Sequence, residues 1–178
     1  MKFPFFVLFA LSAISGLPTV ATSQSTTALS IAAGPSMPVG RLKNSQSTGF
    51  AGTVGVVFGS DETPFGLRVD VGYDKLRGRT IGSVVGSSNR IISGTANVLF
   101  TFPGISVKPY LSGGLGEYGM KSDTTGAKAV SRFGFNFGSG ISFPVASQTA
   151  FLEAQLHSIS QSNAKPLRFA RVVFGILL

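Results

Sequence analysis

From Thr27 onward, hydrophobic and polar residues alternate with a period of two, in segments of about 7 to 14 residues bounded by turn residues. In 65–74, Phe65, Leu67, Val69, Val71 and Tyr73 share one face, and Gly66, Arg68, Asp70, Gly72 and Asp74 share the other. In 132–143, Phe133, Phe135, Phe137, Ile141 and Phe143 alternate with Gly134, Asn136, Gly138, Gly140 and Ser142. Segments 92–102 and 149–157 follow the same rule, and 27–34, 48–59, 108–120 and 168–178 follow it more loosely. The pattern predicts eight strands. An even number lets an antiparallel sheet close with both termini at one end.

The two faces differ in a way that selects a class. One face carries large apolar residues without interruption; the other carries mostly Gly, Ser, Thr and Asn with a few charges. An eight-stranded lumen is just wide enough for side chains to fill, and small residues with paired charges suit it better than stacked Phe. The apolar face is therefore expected to meet lipid and the small polar face to line the lumen. A strand of about 10 residues tilted by about 45° crosses the hydrocarbon layer. The fold expected is an all-β, eight-stranded antiparallel up-and-down transmembrane barrel.

Connection lengths add independent support. Segments 35–47, 79–91, 121–131 and 158–167 read as long loops; 60–64, 103–107 and 144–148 read as short turns, each with a Pro. Long external loops alternating with short periplasmic turns are the habit of outer-membrane barrels.

Residues 1–23 read as a cleaved signal peptide. Lys2 gives the positive start, Phe3 to Ile14 the apolar core, and Ala21-Thr22-Ser23 the small residues at a cleavage site. Thr19-Val20-Ala21 is a second cleavage candidate. The apolar run of about 12 residues is short of the roughly 20 a spanning helix needs. Residues 24–178 then form one barrel domain, exported to the outer membrane.

Composition sharpens this picture. Charged residues make up 12% of the chain, about half the usual share, and there is no Cys or Trp. Disorder and a disulfide framework are excluded. The formal net charge of +8 points to anionic partners.

The segments KPYLSGGLGEYGMK and RFGFNFGSGISFPVASQTAFLEAQLH, with the apolar strand ending at Leu178, resemble the outer membrane protein β-barrel domain family, the small OmpA/OmpX-type barrels of Gram-negative envelopes. The likeness is clearest over 108–178; residues 27–107 match in pattern. It implies export, insertion by the barrel-assembly machinery, and no catalytic activity. One departure is the ending FGILL, where such barrels commonly close on an aromatic residue.

Three groups of residues are candidates for function. Arg68, Asp70, Glu153, His157 and Arg171 fall on lumen faces, and the two acids and two arginines are expected to neutralise one another in a single mid-barrel layer. The rival reading is a narrow porin-like path for ions or small solutes. His157, with Ser158 and Glu153, invites comparison with eight-stranded lipid A-modifying enzymes. Alternation puts Ser158 on the opposite face from His157, which argues against a nucleophile and base in partnership. The third group is a basic rim at the loop end: Lys75, Arg77, Arg79, Arg90, Lys121, Lys128, Arg132, Lys165 and Arg168, with Arg41 and Lys43. Asp74, Glu117 and Asp123 are the acids expected to oppose it. The anion expected there is lipopolysaccharide, whose phosphates suit Lys and Arg. The motif Gly114-Leu115-Gly116-Glu117-Tyr118-Gly119 matches a dinucleotide fingerprint but lies within a strand with no helix after it, so its glycines read as barrel packing. No metal, cofactor or nucleic acid is expected, and the barrel is expected to be a monomer.

Overall fold

The computed structural model of the chain describes residues 25–60, 62–81, 84–104, 106–162 and 164–178. The predicted signal segment and Asp61 lie outside the described residues. The long strands are β1 (Ser25–Val39), β2 (Gln46–Ser60), β3 (Phe65–Gly78), β4 (Asn89–Thr101), β5 (Lys108–Ser122), β6 (Val130–Val145), β7 (Gln148–Ile159) and β8 (Leu167–Leu177). Each pairs antiparallel with its neighbours in sequence, and β1 pairs with β8, so the sheet is a closed eight-stranded up-and-down barrel. Closure is completed by Leu29 and Leu178, whose amides and carbonyls bond reciprocally at 2.9 and 2.8 Å. Closure leaves no sheet edge unpaired, which a lipid environment requires.

The strands run further than alternation suggests, and the loops contract accordingly. The segment read as a loop over 35–47 is strand to Val39, then a 3₁₀ turn at Gly40–Asn44. Pro35 and Pro38 masked this extension in the sequence. Pro35 falls where bridging to β8 is interrupted between Ala33 and Ser36, so a missing N–H costs little there. The connections 79–88, 123–129 and 160–166 remain long, whereas 40–45 is no longer than the 102–107 turn. The first loop therefore does not carry the long-short contrast expected of it. A β-bulge between Ser47 and Phe50 shifts the β2–β3 register. Gly49 sits in it against the Lys75 carbonyl, closer than any side chain could approach.

The two faces fall as alternation predicts. Phe65, Leu67, Val69 and Val71 of β3, Phe133, Phe135 and Phe137 of β6, and Phe174 of β8 are exposed on the outer wall. A continuous apolar band this large marks a surface that is not meant for water. Near the turn end, Phe65, Phe100 and Phe102 form an aromatic cluster with ring centroids 5.2 and 4.9 Å apart.

The lumen is less polar than expected. Besides small polar residues it holds two apolar clusters. One, at the loop end, joins Leu42, Leu76, Ile91, Tyr118, Ile159 and Phe169. The other joins Ala32, Ala51, Tyr110, Phe151 and Val173. The expectation that aromatic rings would be excluded from so narrow a lumen is thus corrected. Glycines make the room: a Cβ on Gly134 would come within 2.9 Å of the Tyr118 ring, and one on Gly140 within 2.5 Å of Tyr110 Cζ.

Candidate functional site

Charges on the lumen faces cannot be left without partners, because burying an unpaired charge is costly. Arg68 of β3 reaches across the lumen to Glu153 of β7. Its Nη2 donates to Glu153 Oε1 at 3.0 Å and its Nη1 lies 2.8 Å from Oε2, a forked pair. Arg68 Nε also donates to Asp70 Oδ2 at 2.8 Å. Neutral donors complete the acceptors. Ser112 Oγ and Gln155 Nε2 bond Glu153 Oε1 at 2.7 and 3.1 Å, and Asn97 Nδ2 bonds Asp70 Oδ2 at 3.0 Å. Four strands, β3, β4, β5 and β7, are tied across the lumen by one guanidinium and its acids.

Arg171 is not part of this layer. Its Nε donates to Asp74 Oδ1 at 2.8 Å, its Nη2 bonds Asp74 Oδ2, and Nη2 also donates to Ser93 Oγ at 3.1 Å. Two corrections follow. The single four-charge layer is instead two separate groups, Arg68–Asp70–Glu153 and Arg171–Asp74. Asp74, assigned to the basic rim, is fully buried in the lumen. Its parity with Arg68 and Asp70 on β3 was the signal for this; proximity to Lys75 and Arg77 in sequence obscured it. Gly72 provides the space, since a Cβ there would lie 2.8 and 2.9 Å from the Arg171 guanidinium nitrogens.

His157 forms a third group, above the ionic ones. Its ring stacks on Phe169 with centroids 4.6 Å apart and planes within 6°. Its Nδ1 is 3.0 Å from Tyr118 Oη. The Arg171 guanidinium carbon lies 5.4 Å from the Phe169 centroid, so Phe169 joins the ionic and aromatic groups. Glu153 is engaged by Arg68, and Ser158 is on the opposite side of β7, buried between its register partners Phe135 and Arg168. His157, Ser158 and Glu153 are not brought together. Among the described residues, no cluster of His, Asp and Glu could hold a metal ion.

All nine predicted rim residues lie toward the loop end, but they divide between two surfaces. Lys75, Arg90 and Lys121 are register partners on β3, β4 and β5, on the outer wall. Like charges directly opposite one another repel. Asp123 relieves Arg90 alone, at 2.6 Å. Arg77 and Arg168 also occupy outer-wall strand positions, and Arg79, Lys128 and Lys165 lie in connections. Arg79 Nη1 donates to the Lys43 carbonyl at 2.9 Å and ties the first two loops together. Glu117, also on the outer wall, accepts from Ser131 Oγ.

Arg132 is different, because it shares the lumen parity of Gly134 and Asn136. With Lys128 it lines a cavity of about 370 Å³ that opens at the loop end over the apolar cluster of Leu42, Ile91 and Phe169. Alternation alone could not show this cavity, because its walls come from six strands and three connections.

No protein family matches the chain, and no curated protein matches it. Solved structures do. Neisserial surface protein A superimposes with a TM-score of 0.67 at 18% identity, over 86% of this chain and 97% of that one. Ail, the attachment invasion locus protein of Yersinia pestis, gives 0.54 at 16% identity, over 88% and 100%. OprG from Pseudomonas aeruginosa gives 0.50 at 10% identity, over 86% and 97%. The chain therefore has the fold of the small eight-stranded outer-membrane β-barrels.

Proposed function

We propose that this protein is an integral outer-membrane barrel with a structural or surface-interaction role, and that its outer cationic row contacts lipopolysaccharide. The observation that carries this reading is the alignment of Lys75, Arg90 and Lys121 on adjacent strands, on the outer wall toward the loops. Asp123 offsets only Arg90, so Lys75 and Lys121 on either side of it still gain from an external anion lying over the row. At the outer rim of an apolar band, the anions within reach are phosphates of lipid headgroups. Each basic residue near an anionic lipid surface is worth about 1 kcal/mol. The filled lumen favours a structural or binding role over transport: Arg68 and Glu153, and Arg171 and Asp74, bridge strands that are not neighbours in the barrel.

Ail of Yersinia pestis has been crystallised with the heparin analogue sucrose octasulfate. A sulfated glycan is accordingly the competing anion in the test. The barrel and its Lys75→Gln/Arg90→Gln/Lys121→Gln variant would be titrated with lipopolysaccharide and with heparin at rising salt. The reading expects salt-sensitive lipopolysaccharide binding that the triple variant loses, with heparin a weaker ligand. Equal lipopolysaccharide binding by the folded variant would contradict it.

A further inference from the structure

We propose that the mouth of the barrel binds one fatty-acid anion from the external medium, with its chain in the apolar cup and its carboxylate on Lys128 and Arg132. The cup measures about 370 Å³, at the lower end of the roughly 300–1,000 Å³ range of ligand pockets. That volume suits one acyl chain rather than the several of a membrane lipid.

The lining matches an amphipathic ligand. Met120, Val130 and Leu167 form apolar walls, and Val130 keeps 40% of its surface exposed although it faces the mouth. Leu42 and Ile91 lie below them, nearly buried. Apolar residues turned toward a water-filled mouth gain by being covered. The cations stand at the same opening. Among the described residues, neither Lys128 nor Arg132 has a salt-bridge partner; Arg132 donates only to the Ser131 carbonyl, at 3.3 Å. The acids at this end are engaged elsewhere, Asp123 by Arg90 and Glu117 by Ser131. A carboxylate is thus the group the opening can accept, by charge-assisted hydrogen bonds.

Access also restricts the ligand. Every strand pairs with both neighbours, so nothing enters sideways from the bilayer. Below the cup, Tyr118, His157 and Phe169 close the lumen, with the Arg171–Asp74 pair against them. A ligand that enters from the loop side leaves by the same route. The site is a receptor cup and not a conduit. Of the outer row, Lys121 also borders the cup, whereas Lys75 and Arg90 do not.

The test is equilibrium dialysis of radiolabelled dodecanoate against the full barrel held in amphipol, folding being verified by heat-modifiable gel mobility. One saturable site per barrel is expected. Lys128→Gln/Arg132→Gln should weaken binding about tenfold or more, the loss expected for charge-assisted bonds. Val130→Trp, and separately Met120→Trp, should abolish it by filling the cup. Dodecyltrimethylammonium should fail to displace the label, and Lys75→Gln/Arg90→Gln, whose residues lie outside the cup, should bind normally. Binding that does not saturate, that survives both tryptophan variants, or that the cationic amphiphile displaces equally well would overturn the proposal. So would dimerisation that buries the mouth and prevents dodecanoate binding, because the cup would then serve a second copy.

Discussion

Arg171 and Asp74 form a two-bonded ion pair across the lumen, from strands β8 and β3, which are separated in the barrel by β1 and β2. Both side chains are essentially inaccessible to water. The pair holds opposite walls of the barrel at a fixed distance, and the packing of Phe169 and His157 rests on it. Removing one partner leaves the other charged and buried. Asp74→Asn should therefore cost about 3–5 kcal/mol in urea-unfolding measurements. The double variant Asp74→Asn/Arg171→Gln should recover a substantial part of that loss.

The lumen charges should behave as two units. Glu153→Gln and Arg68→Gln share direct bonds, so their double-mutant cycle should show coupling of about 0.5–3 kcal/mol. Glu153→Gln and Arg171→Gln share no bond, and their losses should add to within about 0.5 kcal/mol. Strong coupling in the second cycle would restore the single-layer arrangement that the sequence suggests.

How far the sequence reaches is visible in these residues. Alternation alone puts Arg68, Asp70, Glu153 and Arg171 inside, because a strand's parity is local. It cannot pair them, because pairing depends on the shear of the closed barrel and on contacts across it. Asp74 shows the cost: its parity is readable, but its partner lies on β8, far away in sequence. The cup at the mouth is hidden for the same reason. Leu42, Ile91, Met120 and Arg132 are each unremarkable on their own strands or turn, and only closure of the sheet brings them together. Pro35 and Pro38 misled in the opposite direction, suggesting a loop where the strand continues past a missing bridge.

The outer wall should show depth-dependent tolerance of charge. Val71, exposed in the middle of β3, is expected at the hydrocarbon core; Val107, exposed in the turn before β5, is expected at its edge. Val71→Arg should cost about 2–4 kcal/mol and Val107→Arg about 0–1 kcal/mol in lipid. Gel mobility of heated and unheated samples would report folding, and urea titration in liposomes the difference. Equal tolerance at both positions would count against a lipid-facing band.

The lumen should not conduct. Side chains from β3, β4, β5, β7 and β8 meet across it in bonded groups. In planar bilayers the wild-type protein should give no stable conductance steps, and Glu153→Gln should lower stability without opening a path. Discrete steps whose ion selectivity changes with Glu153→Gln would support the channel reading instead.

The most direct test of the membrane-barrel account is the sidedness of its connections in living cells. Single cysteines placed at Ser45, Ser87 and Ser162, in three loop-end connections, would be compared with one at Ser147 in the β6–β7 turn, each exposed to a membrane-impermeant thiol reagent. The native chain has no Cys, so background is low. The account predicts labelling of the first three on intact cells, and of Ser147→Cys only after the outer membrane is permeabilised. Labelling of Ser147→Cys alone on intact cells would invert the barrel, and with it contradict both the lipopolysaccharide contact and an externally open cup.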